Sequence, residues 1–390
     1  MKRPKLLLVS IVPPRNDCGV RIVMYRHLIE RNDFDLHVAS NADFANDLLV
    51  DTKLELPYPL QRLRKSRFGH VFGKWLSDYE NFIWPMTVSR SLQNTINKYK
   101  PDVILTLAET GLCHMAARAA KRNGIPLAGL FLDWFPIMAP HFGHSVFQPV
   151  LSRRYRKLYR QCDLALCTSD GMQEILGEHP NTHVVYPIPG IHQTPSQIYP
   201  PKNNKFRVVY VGSAQSFYGR MLRSLLNLIR EHSDLELIIV GPTGDWPVPE
   251  IELARNEGVC LGFLPPEKAA EVIKGADALL VVMSFEREHE RFMRTSFTTK
   301  FLDYAAFEKP IVLWGPSYCT PSIVAIRENA AMVVNRPESS HVIDALDLLR
   351  TKPSESARLS EAAEKLKAGI FNPVRLQRIV VKEIRALASG

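Results

Sequence analysis

Short apolar runs rich in β-branched residues recur along the sequence, and most lead through a loop into an amphipathic stretch. Two of these runs, residues 5–12 and 206–211, precede loops that carry Gly19 and Gly212. Connections between parallel strands have to cross over the sheet, so alternating strands and helices are typical of parallel sheets. The pattern therefore predicts an α/β protein with doubly wound sheets. The other predicted strands are residues 37–40, 102–107, 126–132, 163–168, 235–240, 259–262, 278–283 and 311–314.

The alternation is interrupted once, by a stretch of prolines and polar residues without periodicity at residues 191–205. Such a composition is typical of a linker between domains. With 390 residues, 46% of them hydrophobic, the chain is long enough for two cores. We therefore predict an N-terminal Rossmann-like domain at residues 1–190 and a C-terminal one at 206–370. An amphipathic helix at residues 371–390 would follow them.

Charge and cysteine content narrow the class of protein. The net charge of +9 indicates an anionic partner, which is a nucleotide, a membrane surface or a nucleic acid. The basic and aromatic motifs of the usual nucleic-acid modules are missing, so nucleic acid is not expected. Six cysteines without metal-type pairing fit reduced thiols, and the first apolar run is too short to span a membrane. These features predict a cytoplasmic protein.

The segment around residues 299–314 has the most informative pattern of polar residues. Ser296, Thr298 and Thr299 are suited to begin a helix that ends before the next strand. Lys300 and Asp303 then share one helix face. A helix N-terminus with a nearby ammonium suits a phosphate, and a carboxylate one turn later suits ribose hydroxyls. The alternative is an ordinary surface ion pair between Lys300 and Asp303.

The loops after the first strand of each half have a second pattern. Backbone amides around Gly212 and Ser213, together with Arg220, are suited to hold a diphosphate at the start of a helix. Gly19 would allow a ligand to approach the backbone in the first half. In both loops the alternative is a tight turn without a ligand.

Asp133 directly follows the predicted strand 126–132. The carboxyl ends of parallel strands line the ligand crevice of such sheets, so Asp133 is a candidate catalytic residue. The alternative is a turn or cap residue. His141 and His144 follow Asp133 at a spacing that matches no strong metal-ligand pattern, so no metal site is predicted.

Residues 60–75 combine five basic side chains with leucine, phenylalanine, valine and tryptophan. Such a stretch suits an anionic membrane surface, with apolar side chains inserted and cations on the phosphates. The alternative is an ordinary segment packed on the domain.

Two doubly wound halves with these motifs resemble the two-domain GT-B glycosyltransferases, most closely the large, mainly retaining glycosyltransferase family 4. Residues 299–306 and 309–312 resemble the family's segment Pro-x-Lys-x-x-Glu-Tyr-x-Ala-x-Gly-Lys-Pro-Val-Val. Residues 211–213, 262–264 and 275–278 also match in kind and order. The resemblance implies two Rossmann-like domains facing each other across a cleft, with Gly212, Ser213 and Arg220 near a diphosphate, the backbone at Phe263 near the base, Lys300 near phosphate and Asp303 on the ribose.

Some family residues are replaced in this chain. The family's Glu-x7-Glu corresponds to Thr295 and Asp303, so its first acid is missing unless Glu286 or Glu288 replaces it. The usual Lys-Gly after the C-terminal loop is Tyr-Gly-Arg at residues 218–220, and the usual His-Asp is Leu-Asp at 132–133.

The resemblance implies a retaining, metal-independent glycosyltransferase with a UDP- or GDP-linked sugar donor as substrate and no other cofactor. Its acceptor would be a carbohydrate or a lipid-linked molecule in glycan, polysaccharide or glycolipid biosynthesis. Through residues 60–75 it would lie peripherally at the inner membrane face. Two alternatives stay open: a sugar-nucleotide epimerase, and a nucleotide- or glycan-binding module without catalysis.

Overall fold

A computed structural model describes residues 3–17, 19–41, 47–69, 71–138, 144–190 and 197–390. The chain divides into two compact units. The first comprises Met1–Tyr186 together with Val374–Gly390, and the second comprises Pro187–Pro373. The C-terminal helix therefore belongs to the first unit, and the second unit begins just before the predicted linker.

The first unit is built on a seven-stranded parallel sheet. Its strands are β1 (Lys5–Ser10), β2 (Asp35–Asn41), β3 (Thr52–Leu54), β4 (Val103–Leu107), β5 (Leu127–Phe131), β6 (Leu164–Cys167) and β7 (Thr182–Val184). They lie in the order β3-β2-β1-β4-β5-β6-β7. β1 and β4 are buried throughout or nearly so, as expected for central strands covered by helices on both faces.

Helices cover both faces of this sheet. They are α1 (Gly19–Tyr25), which continues as a π-helical turn (Arg26–Glu30), α2 (Tyr58–Lys65), α3 (Gly73–Asp78), α4 (Arg90–Tyr99), α5 (Leu112–Asn123), α6 (Phe135–Met138), α7 (His144–Gln161) and α8 (Asp170–Leu176). A second π-helical turn (Tyr79–Ile83) and a 3-10 turn (Trp84–Met86) join α3 to the segment before α4.

The second unit is built on a six-stranded parallel sheet. Its strands are β8 (Phe206–Val211), β9 (Leu235–Val240), β10 (Cys260–Gly262), β11 (Ala278–Val282), β12 (Ile311–Trp314) and β13 (Met332–Val334). They lie in the order β10-β9-β8-β11-β12-β13. Both sheets are therefore doubly wound, which confirms the predicted fold class.

The helices of the second unit alternate with these strands. They are α9 (Ser216–Ile229), α10 (Val248–Asn256), α11 (Pro266–Lys274), α12 (Glu290–Thr295), α13 (Thr299–Ala305), α14 (Thr320–Arg327), α15 (Ser340–Thr351) and α16 (Pro353–Ala368). The last helix of the chain, α17 (Pro373–Ser389), packs in the first unit, where Val380 and Ile384 join the core.

Buried polar contacts fix α17 in the first unit. The Gln377 side chain donates to the backbone oxygen of His27 (2.9 Å) and to Asp33 Oδ2 (2.8 Å). Its Oε1 lies 2.8 Å from His27 Nδ1. Burial lowers the pKa of His27 to about 4, so the imidazole is neutral at pH 7 and donates to Gln377.

Three short strands and the start of one helix could not be read from the sequence. β3, β7 and β13 have only three residues each and lie at sheet edges. Such strands are too short to show a pattern of apolar and polar residues in the sequence. Helix α4 begins at Arg90, because Ser89 accepts a hydrogen bond from the Leu92 amide and acts as the N-cap.

Candidate functional site

The segment singled out in the sequence lies in the second unit as α13 and the loop before it. Tyr304 on α13 is buried, and its hydroxyl accepts a hydrogen bond from the Val211 amide at the end of β8 (2.7 Å). This contact fixes the helix against the loop that carries Gly212. Thr298 occupies the N-cap position, but its side chain makes no capping hydrogen bond. The predicted capping role is therefore wrong for Thr298.

Lys300, in the first turn of α13, is half-buried and lies against two aromatic rings. Its Nζ is 5.4 Å from the ring centroid of Tyr210 and 4.7 Å from that of Tyr218. Burial lowers the pKa of Lys300 to about 8, and the nearby charge of Asp303 partly opposes this effect. Within the described residues, the ammonium has no carboxylate oxygen within ion-pair distance. The structure therefore does not contain the surface ion pair that was the alternative for Lys300 and Asp303.

The glycine loop of the second unit passes directly beside Lys300. Gly212 has a φ of +138°, and a Cβ placed on it would lie 2.2 Å from Lys300 Cε. The positive φ favours glycine there, and a side chain would also displace the flexible end of Lys300. The Tyr210 hydroxyl donates to the Ser213 carbonyl (2.6 Å), and the Trp246 indole donates to the Ala214 carbonyl (2.7 Å). The loop and the ammonium are thus held together at the start of α9.

Asp303, one turn after Lys300, is half-buried. Its Oδ1 accepts a hydrogen bond from the Gly190 amide (3.2 Å), and Gly190 belongs to the same unit. Thr299 is also half-buried on this helix. The predicted donor residues Gly212, Ser213, Thr298, Thr299, Lys300 and Asp303 therefore lie on α13 and on the loop that it contacts.

Arg220 on α9, which was predicted to hold the diphosphate and to act in catalysis with Asp133 and Lys300, forms an ion pair with Glu286 in the loop after β11. This pair lowers the pKa of Glu286. Glu286, Glu288 and His289 also lie close together, with one potential ligand atom from each within 4.8 Å of the others. Glu286 contacts a predicted site residue, whereas Glu288 is largely exposed to solvent. Of the two candidates for the missing first acid, the geometry favours Glu286.

In the first unit, Asp133 follows β5 and is half-buried. Its backbone oxygen accepts hydrogen bonds from the Tyr155 hydroxyl (2.8 Å) and the Phe135 amide (2.8 Å). The neighbouring strand β4 leads to Glu109, whose pKa is raised to about 8 by burial and by the charge of Asp133. The carboxyl group of Glu109, with its raised pKa, and that of Asp133 therefore interact electrostatically at the carboxyl ends of adjacent strands.

Glu109 is not among the site residues predicted from the sequence. The available signal was its position directly after a buried run that was itself predicted as a strand. Gly19, the other predicted residue of this unit, opens α1 with a φ of +53°. A Cβ there would meet nothing within 4 Å, so backbone conformation explains the glycine. His141 lies outside the described residues.

The loop after Glu109 borders a cavity of about 450 Å³. Its wall includes the apolar side chains of Ile11, Val12, Trp84, Leu112 and Phe135. Gly111 lets the wall close, since a Cβ there would lie 1.8 Å from the Glu80 carbonyl. Asn81 also lines the cavity, and it is only 5% exposed.

The Asn81 amide is incompletely satisfied by protein atoms. Its Nδ2 donates to the Ser77 carbonyl (2.9 Å). Its buried Oδ1 has no hydrogen-bond partner among the described residues. An unpaired buried acceptor is costly to the folded protein. The cavity thus combines apolar walls with polar side chains, which include Arg64 and Glu80 as well as Asn81.

Comparison with known proteins identifies the fold. Residues 22–188 match the model of the family described as Glycosyltransferase Family 4. HepE from Anabaena, solved in complex with UDP-glucose, superposes with a TM-score of 0.67 at 14% identity, covering 98% of this chain and 100% of that one. Sucrose-phosphate synthase from Thermosynechococcus elongatus superposes with a TM-score of 0.66 at 11% identity, covering 100% of both chains. The fold is that of the GT-B glycosyltransferases.

A similar fold is also found in a protein that is named as an epimerase. UDP-GlcNAc 2-epimerase from Neisseria meningitidis, bound to UDP-GlcNAc, superposes with a TM-score of 0.57 at 13% identity, covering 98% of this chain and 100% of that one. A search of curated proteins by sequence finds no match. The GT-B fold is thus established, while the reaction has to be argued from the residues.

The family match and the sequence resemblance rest on different parts of the GT-B fold. The matched residues 22–188 lie almost entirely in the first unit. The motifs quoted from the sequence lie mostly in the second unit, around α13 and β12. The two sources of evidence are therefore largely independent.

Two regions with predicted contacts to ligand or membrane have exposed apolar side chains. Phe263 follows β10 and is 75% exposed, so its ring is available for stacking. Phe68, Val71, Phe72 and Trp75 are exposed around the start of α3, beside the basic residues of α2. Among the described residues, no helix combines the length and the apolar character that crossing a bilayer requires.

Proposed function

We propose that this protein is a glycosyltransferase that moves a sugar from a nucleoside diphosphate donor to an acceptor hydroxyl. The observation that carries the proposal is the Lys300 ammonium beside the Gly212 loop at the start of α9, where no carboxylate of the described residues pairs with it. A cation, a glycine loop and a helix N-terminus together suit a diphosphate. The match to glycosyltransferase family 4 supports the same reaction.

The donor would lie along α13 and the loops at the same edge of the second sheet. The diphosphate contacts Gly212, Ser213 and Lys300, and Thr298 and Thr299 supply hydroxyls at the helix start. Asp303 accepts hydrogen bonds from the ribose, and Phe263 lies near the base. We propose a UDP- or GDP-linked sugar as the donor.

Breaking the glycosidic bond of the donor leaves a diphosphate with growing negative charge. Lys300 stabilises this charge directly, and Arg220 supplies a second cation that Glu286 holds in place. We propose that these groups suffice without a metal ion. Transfer that persists in the presence of EDTA is the result that this part of the proposal requires.

The sugar is proposed to retain its anomeric configuration, as in most of family 4. In that case the leaving phosphate takes the proton of the acceptor hydroxyl, and Asp133 orients the acceptor by hydrogen bonding. If the reaction inverts, Asp133 is instead the general base. NMR of the first product formed, before mutarotation, distinguishes the two outcomes.

The acceptor is proposed to bind in the first unit, in the cavity beside Glu109. Its apolar wall favours an acceptor with an apolar part, and the polar side chains of the wall would contact hydroxyl groups. This chemistry fits a lipid-linked carbohydrate at an anionic membrane surface, in glycan, polysaccharide or glycolipid biosynthesis.

Sedimentation with lipid vesicles tests the membrane contact. The protein is expected to sediment with vesicles containing anionic phosphatidylglycerol and much less with neutral phosphatidylcholine. Replacing Phe72 and Trp75 with serine should lower the bound fraction by about tenfold, because their apolar surface would no longer enter the bilayer. Ile326→Ser, which removes an exposed apolar residue from the second unit, is the matched control. Equal binding to neutral and anionic vesicles would refute the contact.

Because of Glu109, we expect the rate of sugar transfer to depend on pH. Its carboxyl is protonated at pH 7 in the folded protein, and it ionises as the pH rises through about 8. Two adjacent carboxylates then repel each other, so the transfer rate should fall above pH 8. Glu109→Gln keeps a neutral hydrogen-bonding group and should make this fall smaller, which a pH–rate profile measures. The part that remains is expected from the loss of charge on Lys300.

The same group affects stability. In the unfolded chain a glutamate loses its proton near its ordinary pKa of 4.5, whereas folded Glu109 keeps it to about 8. The free energy of unfolding should therefore decline between these pH values in the wild type, and decline less in Glu109→Gln. Urea unfolding at pH 5 and pH 8 measures the difference, with exposed Glu178→Gln as control. An identical pH dependence in the wild type and Glu109→Gln would show that Glu109 titrates normally.

Incubation with a panel of UDP- and GDP-sugars tests the reaction class. A glycosyltransferase releases nucleoside diphosphate in proportion to the acceptor that is present. The second candidate, a sugar-nucleotide epimerase, is favoured by the structural likeness to UDP-GlcNAc 2-epimerase. It would convert the donor alone into an epimer, which NMR detects. Binding of nucleotide without either reaction would favour a binding module.

A further inference from the structure

A second cavity of the first unit, of about 560 Å³, lies between α5 and α7. The residues that face it recur at helical spacing on both helices, so each helix presents one polar face to it. These are His114, Arg118 and Lys121 on α5, and Arg154, Lys157 and Gln161 on α7. The cations of the two helices come together only in the folded protein, since α5 and α7 are separate in the sequence.

The positive charges of this cavity are not balanced by the protein. Within the part of the chain that the structure describes, none of its two arginines and two lysines has a carboxylate within ion-pair distance. The single acid on the wall, Asp163, uses its Oδ2 to accept from the Leu127 amide (2.8 Å). Arg154 is half-buried, with its guanidinium 5.0 Å from the centroid of the Phe82 ring. Clustering like charges around a concave site costs free energy unless an anion occupies it.

The cations of the cavity affect the pKa of His114. Its pKa is lowered to about 3, first by burial and then by the charges of Arg154, Arg118 and Lys157. An anion in the cavity would oppose these charges and raise the pKa of His114. The imidazole is therefore a local reporter of occupancy.

The cavity is separate from the groups proposed for glycosyl transfer. It reaches Ile125 and Leu127, where β5 begins, whereas Asp133 follows the other end of that strand. Lys300 and its neighbours belong to the second unit. A ligand here would thus be neither the donor nor the acceptor.

We propose that this cavity binds a compact polyanion, namely a small molecule with two or more phosphoryl groups. Its volume lies within the range typical of small-molecule sites, and its concave shape does not fit a flat membrane surface. Arginine guanidinium groups bind phosphate oxygens in pairs, and the lysines add point charges. Ala117, Ala120 and Leu127 give the cavity an apolar floor that can contact the remainder of such a molecule.

Inorganic pyrophosphate is the probe for the first test. Titrations use the full chain carrying Lys300→Ala, so that the proposed donor site does not contribute. Histidine NMR is the readout, with the His114 signal assigned by its loss in His114→Gln. The His114 signal should shift saturably with pyrophosphate, and its pKa should rise. Because this readout lies in the first unit, it is independent of whether the protein transfers sugars.

Substitutions on and off the cavity wall make the test specific. Arg118→Gln and Lys157→Gln should each weaken pyrophosphate binding by about tenfold in calorimetry, since each removes one charge-assisted contact. The matched controls are Arg122→Gln and Arg160→Gln, which are exposed on the same helices but do not line the cavity. The controls should bind as tightly as the parent.

Three results would overturn the proposal. One is a His114 signal that does not respond to pyrophosphate. Another is an equal loss of affinity in the wall variants and their controls, which would indicate diffuse attraction to a basic surface. The third is binding to phosphatidylglycerol vesicles that the wall variants abolish while pyrophosphate has no effect, which would assign these cations to a membrane.

Discussion

Replacing Asp133 with asparagine is expected to lower kcat for sugar transfer by about 100-fold, while the affinity for nucleotide changes less than about twofold. Asp133 lies in the first unit, and all the residues proposed for the donor lie in the second. Its carboxylate is therefore expected to act on the acceptor, where a small misplacement of the hydroxyl is enough to slow the reaction. Steady-state kinetics with saturating donor, together with calorimetric titration of the nucleotide, measure the two effects separately.

The control for this variant is Glu178→Gln, which alters an exposed carboxylate of the same unit. Its kinetics should match those of the wild type. If Asp133→Asn loses nucleotide affinity and transfer to the same extent, Asp133 has a structural role. Its backbone contact with Tyr155 would then be the first place to look for the cause.

Lys300→Ala is expected to weaken binding of the nucleoside diphosphate by about 10- to 100-fold, which corresponds to about 1.4–2.8 kcal/mol. The ammonium lies against the Gly212 loop, and no carboxylate of the described part of the chain pairs with it, so a phosphate would supply a close counter-charge there. The fold should survive, because Lys300 is only half-buried.

The pKa of Lys300 adds a second signature. Since it is lowered to about 8, part of the lysine is neutral in mildly alkaline buffer, and nucleotide affinity should fall as the pH rises through 8. Calorimetry between pH 6.5 and 9 measures this. Lys300→Ala should bind weakly at every pH, and Lys300→Arg should lose the pH dependence because arginine keeps its charge. A wild-type affinity that stays constant over this range would contradict a direct contact between Lys300 and phosphate.

Much of the fold and part of the site follow from local patterns in the sequence. The buried strands β8, β9 and β12 have their predicted bounds, because apolar runs flanked by turn residues define a central strand well. Lys300 and Asp303 also emerged from the sequence, since a helix start, a cation and a carboxylate lie within a few residues of each other. Local spacing contains this information.

What the sequence did not reveal depends on contacts between distant segments. The pKa of Glu109 is raised by burial and by Asp133, which is 24 residues away in the sequence. The two residues interact because β4 and β5 are neighbours in the sheet. The pairing of Arg220 with Glu286 spans 66 residues. α17 returns to the first unit through Gln377 and its contacts with His27, and amphipathicity alone could not indicate its partner.

The most direct test of the account is a thermal-shift screen with UDP, GDP, ADP, TDP and CMP on the wild type and Asp303→Ala. We expect UDP or GDP to raise the Tm selectively, because ligand at about 100 times its Kd adds about 2.7 kcal/mol to stability. The rise should be lost in Asp303→Ala and preserved in Glu308→Gln, an exposed carboxylate just beyond α13. A Tm that no nucleotide raises, or a rise that persists in Asp303→Ala, would contradict the proposed donor site.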